Sequence, residues 1–170
     1  MKMLEGRVAA VTGAASGLGR AMALAFAGEG MHAALADVDE PGLKSTLDEV
    51  QSRGVRAFAM RVDVSRYQEV ESFCSKAIAQ FGATHVVCNN AGVSPLGAVW
   101  ENTLADWQWI LGVNLWGVIH GVRAFVPRLL AQFPGGSVQE ALVARGSRYR
   151  YLRTERADEH AKSRTWLPQR

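Results

Sequence analysis

At 170 residues, 48% hydrophobic and 21% charged, the chain has the size and balance of one globular domain able to bury a single core. The net charge of +3 is unevenly placed: residues 1 to 138 carry 11 Lys and Arg against 12 Asp and Glu, and residues 139 to 170 carry 8 against 4. That basic end has acids interspersed (Glu155, Asp158, Glu159) and no interleaved aromatic platform, which argues against nucleic acid as a partner. No apolar stretch approaches the ~20 residues of a membrane span and no signal peptide is visible, so no membrane partner is expected and the cytoplasm is the expected address.

Short β-rich runs alternate with helical patterns along the first 138 residues. Strands are predicted at Arg7 to Thr12, His32 to Asp37, Val55 to Val62 and His85 to Asn89, with helices over Gly17 to Glu29, Leu43 to Arg53 and Tyr67 to Phe81 between them. This is the rhythm of consecutive βαβ units, so the fold class is α/β: a doubly wound parallel sheet with helices on both faces. Pro41 and Gly42 open the second helix, Gly54 closes it and Gly82 closes the third. A long apolar helical pattern runs from Thr103 to Ala131, with Thr103 and Asp106 as first-turn residues; its Gly112, Gly117, Gly121 and Pro127 predict close packing and a kink. Trp100, Trp107, Trp109 and Trp116 are expected mostly in the core, Cys74 and Cys88 as small apolar core residues, and His85 and His120 as polar punctuation rather than ligands or bases.

The segment VAAVTGAASGLGRAMALAF sets Gly13, Gly17 and Gly19 between a strand and a helix. Glycines there let the chain turn tightly and bring backbone N–H groups against a pyrophosphate at the positive end of the helix. The second strand then ends in Asp37, where a carboxylate can accept from ribose hydroxyls; the alternative is a strand-end cap for the next loop. Such a carboxylate repels a 2′-phosphate, and Ala14, Ala15, Ser16 and Val38 offer no cation, so NAD is favoured over NADP; the placement of Arg20 and Arg61 bears on this.

With Thr12-Gly13-Ala14-Ala15-Ser16-Gly17-Leu18-Gly19, Asp37, Asp63-Val64 and Asn89-Asn90-Ala91-Gly92 in this order, residues 5 to 138 resemble the classical short-chain dehydrogenase/reductase family. The resemblance implies a Rossmann-type dinucleotide-binding domain over residues 1 to 138 that performs hydride transfer between a nicotinamide and a small alcohol or ketone. It places Gly13, Ser16, Gly17, Leu18 and Gly19 along the pyrophosphate and adenosine ribose, Asp37 on the ribose hydroxyls, and Asp63 with the Val64 backbone at the adenine. The bland alternative for Asp63 is a cap for the helix after Ser65. Asn90 would face the nicotinamide ribose, while Ala91 and Gly92 would keep the cleft floor thin. Asn114 matches the family's helix asparagine, which holds a water in a proton relay; read from the residues alone it is a buried amide needing partners.

The family's serine, tyrosine and lysine follow a fifth strand, which Gly135-Gly136-Ser137-Val138 begins and Gln139-Glu140 breaks. In unbroken register their positions fall at about Val143, Arg156 and His160, none of the required type. Tyr149 with Arg153 is the only imitation, and an arginine does not reproduce a lysine's compact charge. Residues 139 to 170 are therefore expected to be an atypical, poorly ordered tail on a Rossmann-type fold incomplete at its C-terminus. Catalysis by this chain is expected to be lost; the alternative reading is a non-catalytic dinucleotide-binding module with a regulatory or partner-binding role, and an oligomer is doubtful.

Overall fold

The computed structural model describes residues 4–95 and 97–132. Its strands are β1 (Val8–Thr12), β2 (His32–Asp37), β3 (Ala57–Arg61) and β4 (Val86–Cys88), all parallel in the order β3-β2-β1-β4. The helices are α1 (Gly17–Gly28), α2 (Glu40–Gln51), α3 (Tyr67–Phe81), α4 (Leu104–Leu111) and α5 (Gly117–Gln132). Chain order and sheet order part company between β1 and β4, the switch point beyond whose carboxyl ends open α/β sheets form a crevice. The doubly wound parallel architecture expected from the sequence is therefore present. The proposed tail, 139 to 170, lies outside the described residues.

The pleat sorts the strand residues into two cores. Ala10, Ala34, Phe58 and Val87 face α3 and α5, where Phe73, Phe125, Val70 and Leu129 complete one cluster. Their neighbours Val11, Ala33, Leu35, Ala57 and Cys88 face α1 and α2, against Ala23, Ala27, Leu43 and Val50. Phe73 stands edge-on to both Phe58 and Phe125, with ring centroids 6.0 and 5.9 Å apart, an arrangement that suits the ring quadrupoles. Burial on both sides explains why β1 and β2 read as unbroken apolar runs.

Several boundaries differ from expectation for local reasons. Helix α2 begins at Glu40, three residues early, because the Asp39 side chain accepts the Gly42 N–H and Pro41 suits the first turn. At α4, Thr103 and Asp106 form a reciprocal capping box. The long helical pattern is not one regular rod: the departure from α geometry falls at Gly112–Trp116, a π-helical turn joining α4 to α5.

Two expectations need correction. None of Trp100, Trp107, Trp109 and Trp116 is buried; Trp100 is 87% exposed and Trp116 52%. The described sheet ends at β4, so no described layer lies over the outward apolar positions of α4 and the π turn. The continuous helical stretch Leu104–Gln132 is also long and apolar enough, by length and composition, to cross a membrane. Within the fold it serves as a packing helix, burying Gly117, Gly121, Ala124, Phe125 and Leu129.

Candidate dinucleotide site

The crevice between β1 and β4 holds a cleft of about 370 Å³. Gly13, Ser16, Gly17, Leu18, Asp37, Asp63, Val64, Asn90, Ala91 and Gly92 all line it, so the topology brings together ten of the residues singled out from the sequence. Along Ala91, Gly92 and Val93 the cleft adjoins a second cavity of about 640 Å³, lined on its far side by Asn114, Trp107 and Ile110.

Gly13 and Gly17 have φ of 68° and 53°, in the region that favours glycine. A Cβ on Gly17 would meet nothing within 4 Å, so the open side of this residue is the cleft itself. Gly19 does a different job, packing beneath the loop: its Cβ would stand 1.9 Å from the Gly13 carbonyl oxygen and 2.7 Å from Asn90 Nδ2. The N-cap of α1, Ser16, makes no side-chain capping bond, and the first turn holds no acid, so no described carboxylate in that turn offsets the positive end of the helix.

Asp37 both lines the cleft and caps the loop around it. Its Oδ2 accepts the Ala15 N–H at 2.9 Å, and its Oδ1 accepts those of Val38 and Asp39 at 2.7 and 3.1 Å. A carboxylate offers about four lone-pair sites, so roughly one remains, on Oδ2, for a hydroxyl donor. The two alternatives read from the sequence are thus compatible in one side chain. Asp63 also lines the cleft, and its Oδ1 accepts from the N–H and the hydroxyl of Ser65 at 3.0 and 2.7 Å, which turns the chain ahead of α3 but does not cap the helix, whose N-cap, Arg66, receives no side-chain bond.

Asn90 is 7% exposed and donates from Nδ2 to the Thr12 and Gly13 carbonyls at 3.0 and 3.3 Å. Its amide nitrogen ties β4 to the glycine loop, a structural duty beside any contact with a ribose. Thr12, to which sequence reasoning assigned no role, is the hub of this corner. Its buried hydroxyl donates to the Cys88 carbonyl at 3.2 Å and accepts the N–H groups of Asn90 and Ala91 at 3.0 and 3.1 Å. The signal was present in the threonine that opens TGAASGLG. Cys88 sits beneath, its thiol pushed up to about 12 by burial, so it is no nucleophile.

Asn114 is exposed, which corrects the expectation of a buried amide. It lies on the π turn and grips one residue by both ends of its amide, accepting the Val93 N–H and donating to the Val93 carbonyl, each at 2.8 Å. Asn89 was also missed: Gly121 has no side chain because a Cβ would lie 1.9 Å from Asn89 Oδ1, and the buried Asn89 Nδ2 has no partner among the described residues. The histidines serve structure. His85 Nδ1 accepts the Val8 N–H at 3.1 Å, and His120 Nδ1 lies 2.8 Å from the Val64 carbonyl. The candidate serine, tyrosine and lysine positions, 143, 156 and 160, and the pair Tyr149 and Arg153 lie outside the described residues.

Comparison with known proteins agrees with this geometry. Residues 7–142 match the short chain dehydrogenase family model. The chain is 42% identical over 129 residues to the 1-deoxy-11-beta-hydroxypentalenate dehydrogenase of Streptomyces exfoliatus, covering 75% of this chain and 47% of that protein. A short chain dehydrogenase/reductase from Burkholderia phymatum, solved in complex with NAD, superposes with a TM-score of 0.77 at 42% identity, over 82% of this chain and 49% of that one. The alcohol dehydrogenase of Thermococcus sibiricus, complexed with 5-hydroxy-NADP, gives 0.70 at 34% identity, over 74% of this chain and 54% of that one. The chain spans about half the length of the curated relatives it matches. With the glycine loop, the β1/β4 crevice and these matches in agreement, the chain belongs to the short chain dehydrogenase family.

Proposed function

We propose that this chain is the dinucleotide-binding part of an NAD(H)-dependent alcohol or ketone oxidoreductase. The observation that carries the reading is the pairing of an uncapped α1 N-terminus, opened by Gly17, with Asp37 on the same cleft. The residues fit the group: Gly13, Ser16, Gly17 and Leu18 would hold the pyrophosphate, Asp37 the adenosine ribose, and Asp63 with Val64 the adenine. Ala91 and Gly92, which line both cavities, would leave room for the nicotinamide half, with Asn90 at its ribose. When bound, the nicotinamide supplies a two-electron hydride carrier.

The chain's own contribution is orientation. The Asn114 amide fixes the Val93 backbone at the junction of the two cavities, and Thr12 fixes the N–H groups of Asn90 and Ala91 on the cleft floor. The negative charge of Asp37, held by three backbone donors, disfavours a 2′-phosphate, which supports NAD over NADP. The named relatives include one protein complexed with NAD and another with 5-hydroxy-NADP, and the acidic ribose corner is the ground for preferring NAD here.

Val143, Arg156 and His160 stand where the resemblance implies serine, tyrosine and lysine, so this chain holds a dinucleotide without turning it over. Titration with NADH, followed by nicotinamide fluorescence beside an alcohol and ketone turnover assay, tests the reading. Saturable binding with no turnover agrees with it. No binding at millimolar NADH removes it, and turnover abolished by Tyr149→Phe would replace it with catalysis through Tyr149 and Arg153.

A further inference from the structure

Arg61 ends β3 as the register partner of Asp37, so the two residues leave neighbouring strands at the same level, Asp37 lining the cleft and Arg61 standing just outside its lining. A free arginine there would suit a phosphate, which its planar fork grips with two parallel hydrogen bonds. It is not free. Arg61 Nε lies 3.9 Å from Glu40 Oε1, and its Nη1 lies 3.9 Å from Glu69 Oε2. The two carboxylates come from different elements, Glu40 from the first turn of α2 and Glu69 from the first turn of α3.

Glu69 is anchored more firmly than an ordinary surface acid. Its Oε2 accepts the Asp63 N–H at 2.7 Å and its Oε1 lies 3.5 Å from Arg66 Nη1, leaving the side chain 27% exposed against 52% for Arg61. Arg66 is shared in turn with Asp63, 3.4 Å from its Nε, and Arg20 on α1 is paired with Glu49. Arg20, Arg61 and Arg66 are therefore each engaged by carboxylates, and Asp37 sets a negative charge on the cleft itself.

We propose that Glu40 and Glu69 are specificity-determining residues that hold Arg61 away from the adenosine 2′ position, so that discrimination against a 2′-phosphate is shared among three acids rather than resting on Asp37 alone. The proposal rests on the dinucleotide reading above. Its prediction is unusual for a site whose ribose acid is intact: neutralising two carboxylates that pair with Arg61 from outside the cleft lining, with Asp37 untouched, releases a phosphate-binding cation. Glutamine keeps an oxygen for the Asp63 N–H, so Glu69→Gln removes charge while preserving that bond.

The experiment is fluorescence titration of the whole chain with NADH and with NADPH, for the unaltered protein, Glu40→Gln/Glu69→Gln, and the same pair combined with Arg61→Leu. The ratio of the NADPH to the NADH dissociation constant should fall about tenfold in the double variant, the order of one charge-assisted hydrogen bond. It should return close to its original value when Arg61 is also removed. An unchanged ratio overturns the proposal, as does an equal fall without Arg61, which would reflect bulk charge alone. If the double variant does not fold, Glu40→Gln alone decides, since Glu40 is 70% exposed and caps nothing: a partial fall supports the clamp and no fall overturns it. Failure of the unaltered chain to bind either nucleotide removes the dinucleotide reading and the proposal with it, whereas tight NADH binding with an unmoved ratio removes the proposal only.

Discussion

Asn114 and Val93 are joined by two hydrogen bonds of 2.8 Å that close like a peptide pair across the mouth of the second cavity. The π turn at Gly112–Trp116 presents this amide to an extended segment that follows the Asn-Asn-Ala-Gly run. Asn114→Ala removes both bonds and should lower stability by ~1–2 kcal/mol, from two exposed bonds at about 0.5–1 kcal/mol each. Asn114→Asp keeps an acceptor for the Val93 N–H but sets oxygen against the Val93 carbonyl, and should fare no better. Urea unfolding of the three proteins measures both effects; an aspartate variant as stable as the parent would contradict the pairing.

Gly17 and Gly19 should separate cleanly on substitution. Gly19→Ala drives a methyl into the Gly13 carbonyl, backbone against backbone, and should cost ~3 kcal/mol or more together with the shape of the loop. Gly17→Ala meets no protein atom and bears only the strain of its positive φ, ~1–2 kcal/mol, yet places a methyl where a pyrophosphate would approach. Circular dichroism melts with NADH titration should show Gly17→Ala folded and weak in binding, and Gly19→Ala compromised in both.

Thr12 is nearly isosteric with valine, which makes the hydroxyl testable. Thr12→Val leaves the N–H groups of Asn90 and Ala91 without their acceptor in a corner where Thr12 is 4% exposed. A loss of ~2–4 kcal/mol is expected from two orphaned donors, with most of it recovered in Thr12→Ser. Equal stability of the serine and valine variants would contradict the assignment.

Burial, with the Arg7 charge adding to it, lowers the pKa of His85 from its usual 6.5, and the neutral ring is the form that accepts the Val8 N–H. A lowered folded-state pKa means that the unfolded chain binds the proton more readily. The His85 contribution is thus complete above about pH 6.5 and is lost as the pH falls through the folded value. His32 is lowered by burial with the same sign. Acidification from pH 7.5 to 5.5 should therefore lower the melting temperature, and His85→Gln should flatten part of that decline while His32 retains the rest. A parent melting temperature that rises on acidification would contradict the sign.

The legible parts of this molecule are those where one residue's local chemistry decides the outcome. Gly13, Gly17 and Asp37 sit just past a strand end, at the start of a helix and at a strand end, and the βαβ rhythm alone brings them to one crevice. Tyr67 to Phe81 was readable to the residue, because an apolar stripe ends in a glycine that takes φ of 82°. Less legible were the features set by tertiary partners. Asn90 and Thr12 bond one another's strands across 78 positions, so neither role follows from spacing along the chain. The tryptophans read as core by hydrophobicity, but what they face depends on which layers cover α4. Engagement of Arg61 by Glu40 and Glu69, from two different helices, has no local signature at all.

The most direct test of the central claim is the thermal unfolding of the chain with and without NAD. The account predicts one cooperative transition that rises with nucleotide concentration and saturates, with a stabilisation of about 2.7 kcal/mol at a hundred times the dissociation constant. A gradual melt indifferent to millimolar NAD would mean that the glycine loop and Asp37 keep the shape of a nucleotide cleft without holding a nucleotide.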